Sequence, residues 1–281
     1  MFLNLKKRNI PIVLLNGRIT KKSFLKWNFF KNFSKKIFSN FNLCLTSNKE
    51  SIKYLNNLGA PKIKFLGNLK YSQSENEKTE LNGSLRKFLS TKKTWCASST
   101  HNSEEKFWGS VHKVLKKKYK NLLTIIIPRH IDRVNEIENE LKKLNLKIYF
   151  HDSKLKLEKD VDIYIVDAYG KTRSFFNYCK NVFLGGSIIN HGGQNPLEAA
   201  RYGCNILHGP NTYNFKEIYN FLKKNKISRK INSEEQAVKL LDKYFTKKQN
   251  FKIIQKKINS IGQKILENTH KEVRLILKNE I

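Results

Sequence analysis

The residues best suited to chemistry lie between Gly185 and Glu198, where two glycine pairs, a histidine, a proline and a carboxylate follow the apolar stretch 182–184. Glycines let backbone N–H groups approach a ligand closely. Pro196 suits the first turn of a helix, whose start favours a phosphate. Glu198 could bind a ribose diol or simply offset the helix dipole. The candidate residues of this segment are Gly186, Ser187, His191, Gly192, Gly193, Asn195, Pro196, Leu197 and Glu198.

A second candidate, Pro128 with Arg129, directly follows the apolar run 122–127. Arginine is scarce in this chain, with 9 Arg among 55 basic residues. Its planar fork suits a phosphodiester leaving group, whose developing charge it could stabilise. An ordinary surface arginine is the alternative interpretation.

Three further strand ends carry small or polar residues. Each alone is typical of a turn, but the carboxyl ends of parallel strands meet at one sheet edge, where ligands bind in open α/β sheets. Together they predict the border of a cleft. The residues concerned are Asn68 and Lys70, Ser99 and His101, and Gly170, Lys171 and Thr172.

Short apolar runs alternate with longer amphipathic stretches along the whole chain. This alternation predicts an α/β fold with parallel sheets covered on both faces. The predicted strands are 11–16, 43–46, 62–66, 94–97, 122–127, 147–150, 163–166, 182–184 and 205–207. The predicted helices are 21–40, 47–57, 104–119, 132–144, 172–180, 196–202, 215–224, 233–245 and 252–278.

Composition narrows the function classes further. Hydrophobic residues make up 39% of the 281, which favours a folded core, and the longest apolar runs are far shorter than the ~20 residues that span a bilayer. The four cysteines form no C-x-x-C pair, which argues against a zinc site and favours a reducing compartment. A secretory signal would begin with basic residues, continue with an apolar segment and end at a small-residue cleavage site. The sequence does not show this pattern, so we do not expect such a signal.

The formal charge of +32 favours polyanionic partners, although a codon bias toward lysine explains it equally well. The segment Lys21–Phe38 mixes lysines with aromatic residues on one predicted helix. Such a helix could lie on an anionic membrane surface, or it could be an ordinary amphipathic helix with a solvated lysine face. A basic nucleic-acid-binding module is a weaker alternative, because arginine, the usual reader of bases and phosphates, is rare.

The motifs, taken in order, resemble those of 3-deoxy-D-manno-octulosonic acid (Kdo) transferases, a family of lipopolysaccharide glycosyltransferases. The resemblance extends over nearly the whole chain. The matching motifs are Asn16-Gly17-Arg18 with Ser23, Gly67-Asn68-Leu69-Lys70, Ser99-Thr100-His101 with Glu104-Glu105, Pro128-Arg129-His130, the segment ending in Asn195-Pro196-Leu197-Glu198, and Gly209-Pro210-Asn211-Thr212 with Asn214-Phe215.

The resemblance implies a GT-B architecture, in which two Rossmann-like domains use CMP-Kdo as donor and a lipid A precursor as acceptor, without metal or cofactor. It implies donor binding by Pro128, Arg129, Gly170 and the stretch Asn195 to Glu198. One departure is Lys171-Thr172, where the family has Glu-Leu after the glycine. Backbone contacts would survive that change, but a side-chain role for the glutamate would not.

The resemblance also implies a division of the chain. Residues 1–71 correspond to the second half of an acceptor-binding domain, 72–90 to a linker, 91–250 to the donor-binding domain, and 251–281 to a C-terminal helix that packs back toward the N-terminal domain. The family's general base is a glutamate that precedes the part matched here. We therefore expect little or no transferase activity from this chain alone. Three explanations stay open: a split gene whose separately encoded N-terminal half supplies the rest, a truncated gene model, or a chain that binds donor without catalysing transfer.

The location implied is peripheral, at the cytoplasmic face of the inner membrane. Another GT-B enzyme, a UDP-sugar transferase or a 2-epimerase, would also place a glycine-rich loop and a glutamate at its donor helix. The sequence leaves that alternative open.

Overall fold

A computed structural model describes residues 2–72, 80–151, 158–246 and 251–278, the side chain of residue 3 excepted. The chain divides into two compact units, one formed by Met1–Ser74 with Lys257–Ile281 and the other by Glu75–Lys256. The helices and strands, in chain order, are α1 (Phe2–Lys7), β1 (Val13–Gly17), α2 (Lys21–Phe29), α3 (Lys31–Phe38), β2 (Leu43–Thr46), α4 (Lys49–Asn57), β3 (Ile63–Phe65), α5 (Gly83–Ser90), β4 (Lys93–Thr100), α6 (Glu104–Lys118), β5 (Leu122–Pro128), α7 (Val134–Lys142), β6 (Ile148–Phe150), β7 (Ile163–Ile165), α8 (Thr172–Tyr178), β8 (Asn181–Leu184), α9 (Leu197–Arg201), β9 (Asn205–His208), α10 (Lys216–Lys224), β10 (Ser228–Lys230), α11 (Glu234–Thr246) and α12 (Phe251–Lys278).

The first unit is built on a parallel sheet in the order β1-β2-β3. Successive side chains of a strand point to opposite faces of the sheet, so the strands contribute to two small cores. Cys44 lies in one core with residues of α3 and α4, such as Phe38 and Leu55. Leu43 and Leu45 lie in the other, against Ile276 of α12.

The second unit carries a seven-stranded, entirely parallel sheet in the order β10-β9-β8-β4-β5-β7-β6. Its central strands are buried along their whole length, as expected when helices cover both faces of a parallel sheet. Trp95 of β4 and Trp108 of α6 are fully buried and pack at a centroid distance of 4.6 Å in the main core. The expected α/β fold with parallel sheets is confirmed.

Several local predictions differ from the structure, and helix α1 was not predicted. The helix predicted over 21–40 is broken into α2 and α3 at Phe30, whose backbone (φ −101°, ψ 56°) is not helical. Residues 83–90, expected within a linker, form α5 because Asn82 caps it and Leu85 is buried. The remaining linker residues 73–79 lie outside the described residues. Strand β10 was not predicted, because an edge strand of sequence Ser-Arg-Lys lacks apolar alternation.

Candidate functional site

The predicted site residues of the second unit gather at the carboxyl edge of its sheet. Strand β4 has β5 as its neighbour on one side and β8 on the other. The strand order therefore reverses at β4. Such a reversal opens a crevice at the strand ends. Arg129 N–H donates to Thr100 O at 3.0 Å, and Gly185 N–H donates to Ser98 O at 2.9 Å. The loops after β4, β5 and β8 are thereby brought together.

A buried carboxylate holds two of these loops. Glu104, at the start of α6, is fully buried. Its Oε2 accepts N–H groups of His101 (3.0 Å) and Gly186 (2.8 Å), and its Oε1 accepts those of Ser187 (3.1 Å) and Ile188 (3.0 Å). Burial raises the pKa of this carboxyl above its usual range, with the four amides opposing the shift.

This arrangement changes the interpretation of the glycine-rich loop. The amides after β8 were expected to approach a ligand, but those of Gly186, Ser187 and Ile188 point at Glu104 instead. The loop is therefore fixed by an anion that the chain itself supplies. The sequence indicated Glu104 only as part of a motif, because the contact joins residues 82 to 84 positions apart.

Ser187 has a structural place in the same loop. Its fully buried hydroxyl donates to Leu184 O at 2.5 Å and accepts the N–H of Gly209 at 2.9 Å. The Ser187 carbonyl accepts the N–H of Asn211 at 2.9 Å. The end of β8 is thus tied to the segment that follows β9.

Gly192 and Gly193 take left-handed backbone angles, with φ of +94° and +74°. The φ of Gly192 favours glycine, and a Cβ there would also lie 2.4 Å from Nδ2 of the exposed Asn214 side chain, which would have to move. Asn214 Nδ2 donates to His191 O at 3.1 Å, and Gly193 N–H donates to Gly186 O at 2.8 Å. These bonds fix the course of the loop toward Asn195.

Three histidines meet beside Arg129. The His101 ring lies 4.3 Å from that of His191 and 5.8 Å from that of His130, between ring centroids. Burial, reinforced by the neighbouring histidines and arginines, lowers the pKa of His101 to about 4. His101 is thus neutral at pH 7, whereas Arg129 and His130 are exposed at the rim.

An ion pair links α8 and α9, the helices beside the other candidates. Arg173 of α8 donates from Nε to Oε1 of Glu198 at 2.5 Å, and both side chains are partly exposed. Gly170 and Lys171 directly precede α8, and Thr172 begins it. Sequence reasoning missed Arg173, although its position beside Thr172 at the start of a predicted helix was a usable signal.

The helix expected at Pro196 is shorter than predicted. Helix α9 begins at Leu197 and has five residues, with Pro196 as its N-cap. The Leu197 N–H already donates to Oδ1 of Asn195 at 3.2 Å. A phosphate at this turn would therefore find fewer amide donors than expected.

Asn68 and Lys70 belong to the first unit, unlike the other candidates. Asn68 Oδ1 accepts the N–H of Lys70 at 2.9 Å, in a turn after β3. This unit also has a cavity of about 580 Å³, which lies at the amino ends of its strands, not at the carboxyl ends where the predicted site residues were expected. No predicted site residue lines it; its lining residues are Lys6, Asn9, Ile10, Ser39, Asn40, Phe41, Asn42 and Pro61.

Within the described ranges, no group of three or more histidine, cysteine, aspartate or glutamate residues is arranged to hold a metal ion. In that same part of the chain, no helix has both the length and the apolar character needed to cross a membrane.

Comparison with known proteins confirms the resemblance inferred from the motifs. The family described as 3-Deoxy-D-manno-octulosonic-acid transferase (kdotransferase) matches residues 1–73. The 3-deoxy-D-manno-octulosonic acid transferase of Haemophilus influenzae is 30% identical over 219 residues, which are 76% of this chain and 51% of that protein. The chain spans about half the length of the curated relatives it matches.

Solved structures show the fold. The C-terminal CMP-Kdo binding domain of WaaA from Acinetobacter baumannii superposes with a TM-score of 0.56 at 20% identity, covering 65% of this chain and 93% of that one. Anabaena Alr3699/HepE, solved in complex with UDP, superposes with a TM-score of 0.53 at 11% identity, covering 99% of this chain and 75% of that one. These neighbours have the GT-B glycosyltransferase fold, as expected for this chain.

Proposed function

We propose that the second unit binds CMP-Kdo and that the chain is the donor-binding part of a glycosyltransferase that moves Kdo to a lipid A precursor in lipopolysaccharide biosynthesis. The observation that carries this proposal is the meeting of Arg129, His101 and the loop Gly185–Gly193 at the strand-order reversal. The curated Kdo transferases at about 30% identity support the same reaction. They do not favour the UDP-sugar alternative or the nucleic-acid-binding alternative.

The donor's phosphate would pair with the exposed Arg129, since a guanidinium binds phosphate in a bidentate manner. In the transition state the same cation would stabilise the charge that develops on departing CMP. Glu198 would accept the ribose hydroxyls while it remains paired with Arg173. Pro128, Gly170, Lys171, Thr172, Asn195, Pro196 and Leu197 complete the proposed donor site, bordered by Ser99, His191 and the glycines of the loop.

We also propose that transfer proceeds with inversion at the Kdo anomeric carbon and needs neither metal nor cofactor. An acceptor hydroxyl that attacks this carbon requires a carboxylate to take its proton. The described carboxylates of the first unit already have partners. Glu50 accepts from Tyr54 (2.8 Å), Glu267 from Gln263 (2.9 Å), and Glu272 pairs with Lys64 (2.7 Å).

Because these carboxylates are already paired, the 281 residues of the chain are proposed to bind donor with little or no transfer by themselves. The proposed location of the chain is peripheral, at the cytoplasmic face of the inner membrane. A radiolabelled CMP-Kdo assay with a lipid A precursor tests the first point. Robust turnover by the isolated chain would refute it.

Thermal shift and calorimetry with nucleotides test donor binding. CMP is expected to raise the melting temperature and UDP is not. Arg129→Ala should weaken CMP binding by about tenfold or more, since a charged hydrogen bond contributes roughly 1.5–3 kcal/mol. Arg86→Ala is the matched control, because Arg86 is exposed on α5 and pairs with the exposed Glu80. A response to UDP but not CMP would indicate the UDP-sugar alternative, and equal CMP binding by both variants would exclude the proposed site.

A further inference from the structure

The outer side of α2 and α3 exposes four large apolar side chains. Phe29 is 82% exposed, Phe30 62%, Phe33 59% and Leu25 57%. In the described part of the chain, three of the four exposed phenylalanines lie here. Contiguous exposed aromatic groups on a soluble surface mark an interaction site.

These side chains are not needed for packing within the first unit. Helices α2 and α3 already pack a separate apolar side against the core, formed by the partly buried Phe24 and Trp27 and the buried Phe38. Trp27 and Phe38 pack edge to face at 5.4 Å, and Phe24 stacks on Tyr54 at 4.6 Å. In an ordinary pair of amphipathic helices, the apolar residues would be confined to this side and the outer side would be polar. Here, two of the exposed phenylalanines contact each other instead, with the ring centroids of Phe29 and Phe30 5.0 Å apart.

The charge around the exposed patch has a single sign. Lys21, Lys22, Lys26, Lys31 and Lys36 are exposed on the same two helices. No aspartate or glutamate occurs among the first 49 residues of the chain. A surface that combines cations with protruding aromatic rings is complementary to anionic headgroups above an apolar interior.

We propose that Leu25, Phe29, Phe30 and Phe33, which we call the aromatic patch, insert into the headgroup region of an anionic lipid bilayer, with the surrounding lysines against its phosphates. A nucleic acid would use the lysines but not the aliphatic Leu25, and it would usually enlist arginine. A protein partner would need no uniform positive charge. The proposal rests on the peripheral membrane location proposed above and names the surface that makes the contact. It uses the first unit alone, so it can fail while donor binding by the second unit holds, and the reverse.

Vesicle flotation tests the aromatic patch. The protein is mixed with vesicles of phosphatidylcholine alone or with phosphatidylglycerol added. We expect binding to the anionic vesicles only, weakened by salt. Replacing three phenylalanines (Phe29→Ser, Phe30→Ser, Phe33→Ser) should lower the partition coefficient by about tenfold or more. Lys22→Glu with Lys26→Glu should lower it by at least roughly fivefold for each lysine removed.

Two controls separate the aromatic patch from bulk charge and hydrophobicity. Phe65→Ser removes an exposed phenylalanine from β3 of the same unit, and Lys223→Glu with Lys224→Glu makes an equal charge change on α10. Both should bind vesicles nearly as the parent does. All variants are first checked for an unchanged melting temperature, since the changed side chains are exposed.

Three results would overturn the proposal. One is equal partitioning onto neutral and anionic vesicles. Another is an equal loss of binding in the control variants and the patch variants. The third is binding to a duplex RNA that the lysine changes weaken and the phenylalanine changes leave intact, with no vesicle binding, which would assign the surface to nucleic acid.

Discussion

A single carboxylate, Glu104, satisfies four backbone N–H groups from two loops, and it can do so only when ionised. A protonated acid would place a donor against donors. The pKa shift caused by burial is therefore opposed by bonds that require the charge. The loops of the candidate site are therefore held by the carboxylate of Glu104, not by an anionic ligand.

Glu104→Gln tests this directly. The amide oxygen accepts as before, but the NH₂ group faces two backbone donors, so buried N–H groups lose their partners. We expect the free energy of unfolding to fall by at least about 2 kcal/mol, measured by urea denaturation. Glu138→Gln is the matched control, since Glu138 pairs with Lys142 on the surface of α7, and it should change stability by less than about 0.5 kcal/mol. Equal stability of the two variants would remove Glu104 from its structural role.

At the scale of the element, much could be predicted from periodicity. Apolar runs located the central strands β4, β5 and β8 and the carboxyl ends of β5 and β8, because buried parallel strands have a strong local signal. The end predicted for β4 at residue 97 was wrong: the strand continues to Thr100, so Ser99 lies within it, because polar residues of this stretch carry no apolar signal. The contacts between loops could not be predicted, since they depend on which strands become neighbours. The pairing of Glu104 with the loop after β8 and the pair Arg173–Glu198 are of this kind.

The loop Gly185–Gly193 offers a prediction at this scale. Gly192→Ala would add a methyl group 2.4 Å from Asn214 Nδ2 at a φ of +94°. Gly170→Ala has a similar left-handed angle (+77°), but open space surrounds its Cβ. The control should lose only the backbone strain of about 1–2 kcal/mol. Gly192→Ala should lose about 1 kcal/mol more, since the Asn214 side chain would have to move and give up its bond to the His191 carbonyl. Equal losses in calorimetric unfolding would contradict the close packing of this loop.

At the scale of the whole molecule, the +32 charge alone left the function open, because codon bias explains it as well as selection does. The structure shows that part of that charge lies beside exposed apolar groups, since α2 and α3 carry both the lysines and the exposed phenylalanines. Sequence reasoning placed both residue types on one predicted helix. It could not say which aromatic rings the core would take up, because burial is decided by the helices and strands packed against them.

Buried neutral histidines predict how stability depends on pH. Burial lowers the pKa of His101 and of His208 to about 4, with neighbouring positive groups contributing. In the unfolded chain both titrate near about 6.5. Below that pH the unfolded state binds more protons than the folded state, so stability falls as the pH falls toward about 4.

We expect the melting temperature to decrease between about pH 7.5 and about pH 5.5, a window above the range in which carboxylates titrate. His208→Asn keeps a side-chain donor for the Gly209 carbonyl, which His208 Nδ1 contacts at 2.7 Å, but it cannot titrate. Its melting temperature should therefore decline less over the same window. High salt in both series separates this effect from the general charge repulsion of a +32 chain. A parallel decline in the two proteins would show that His208 is not the buried neutral group described.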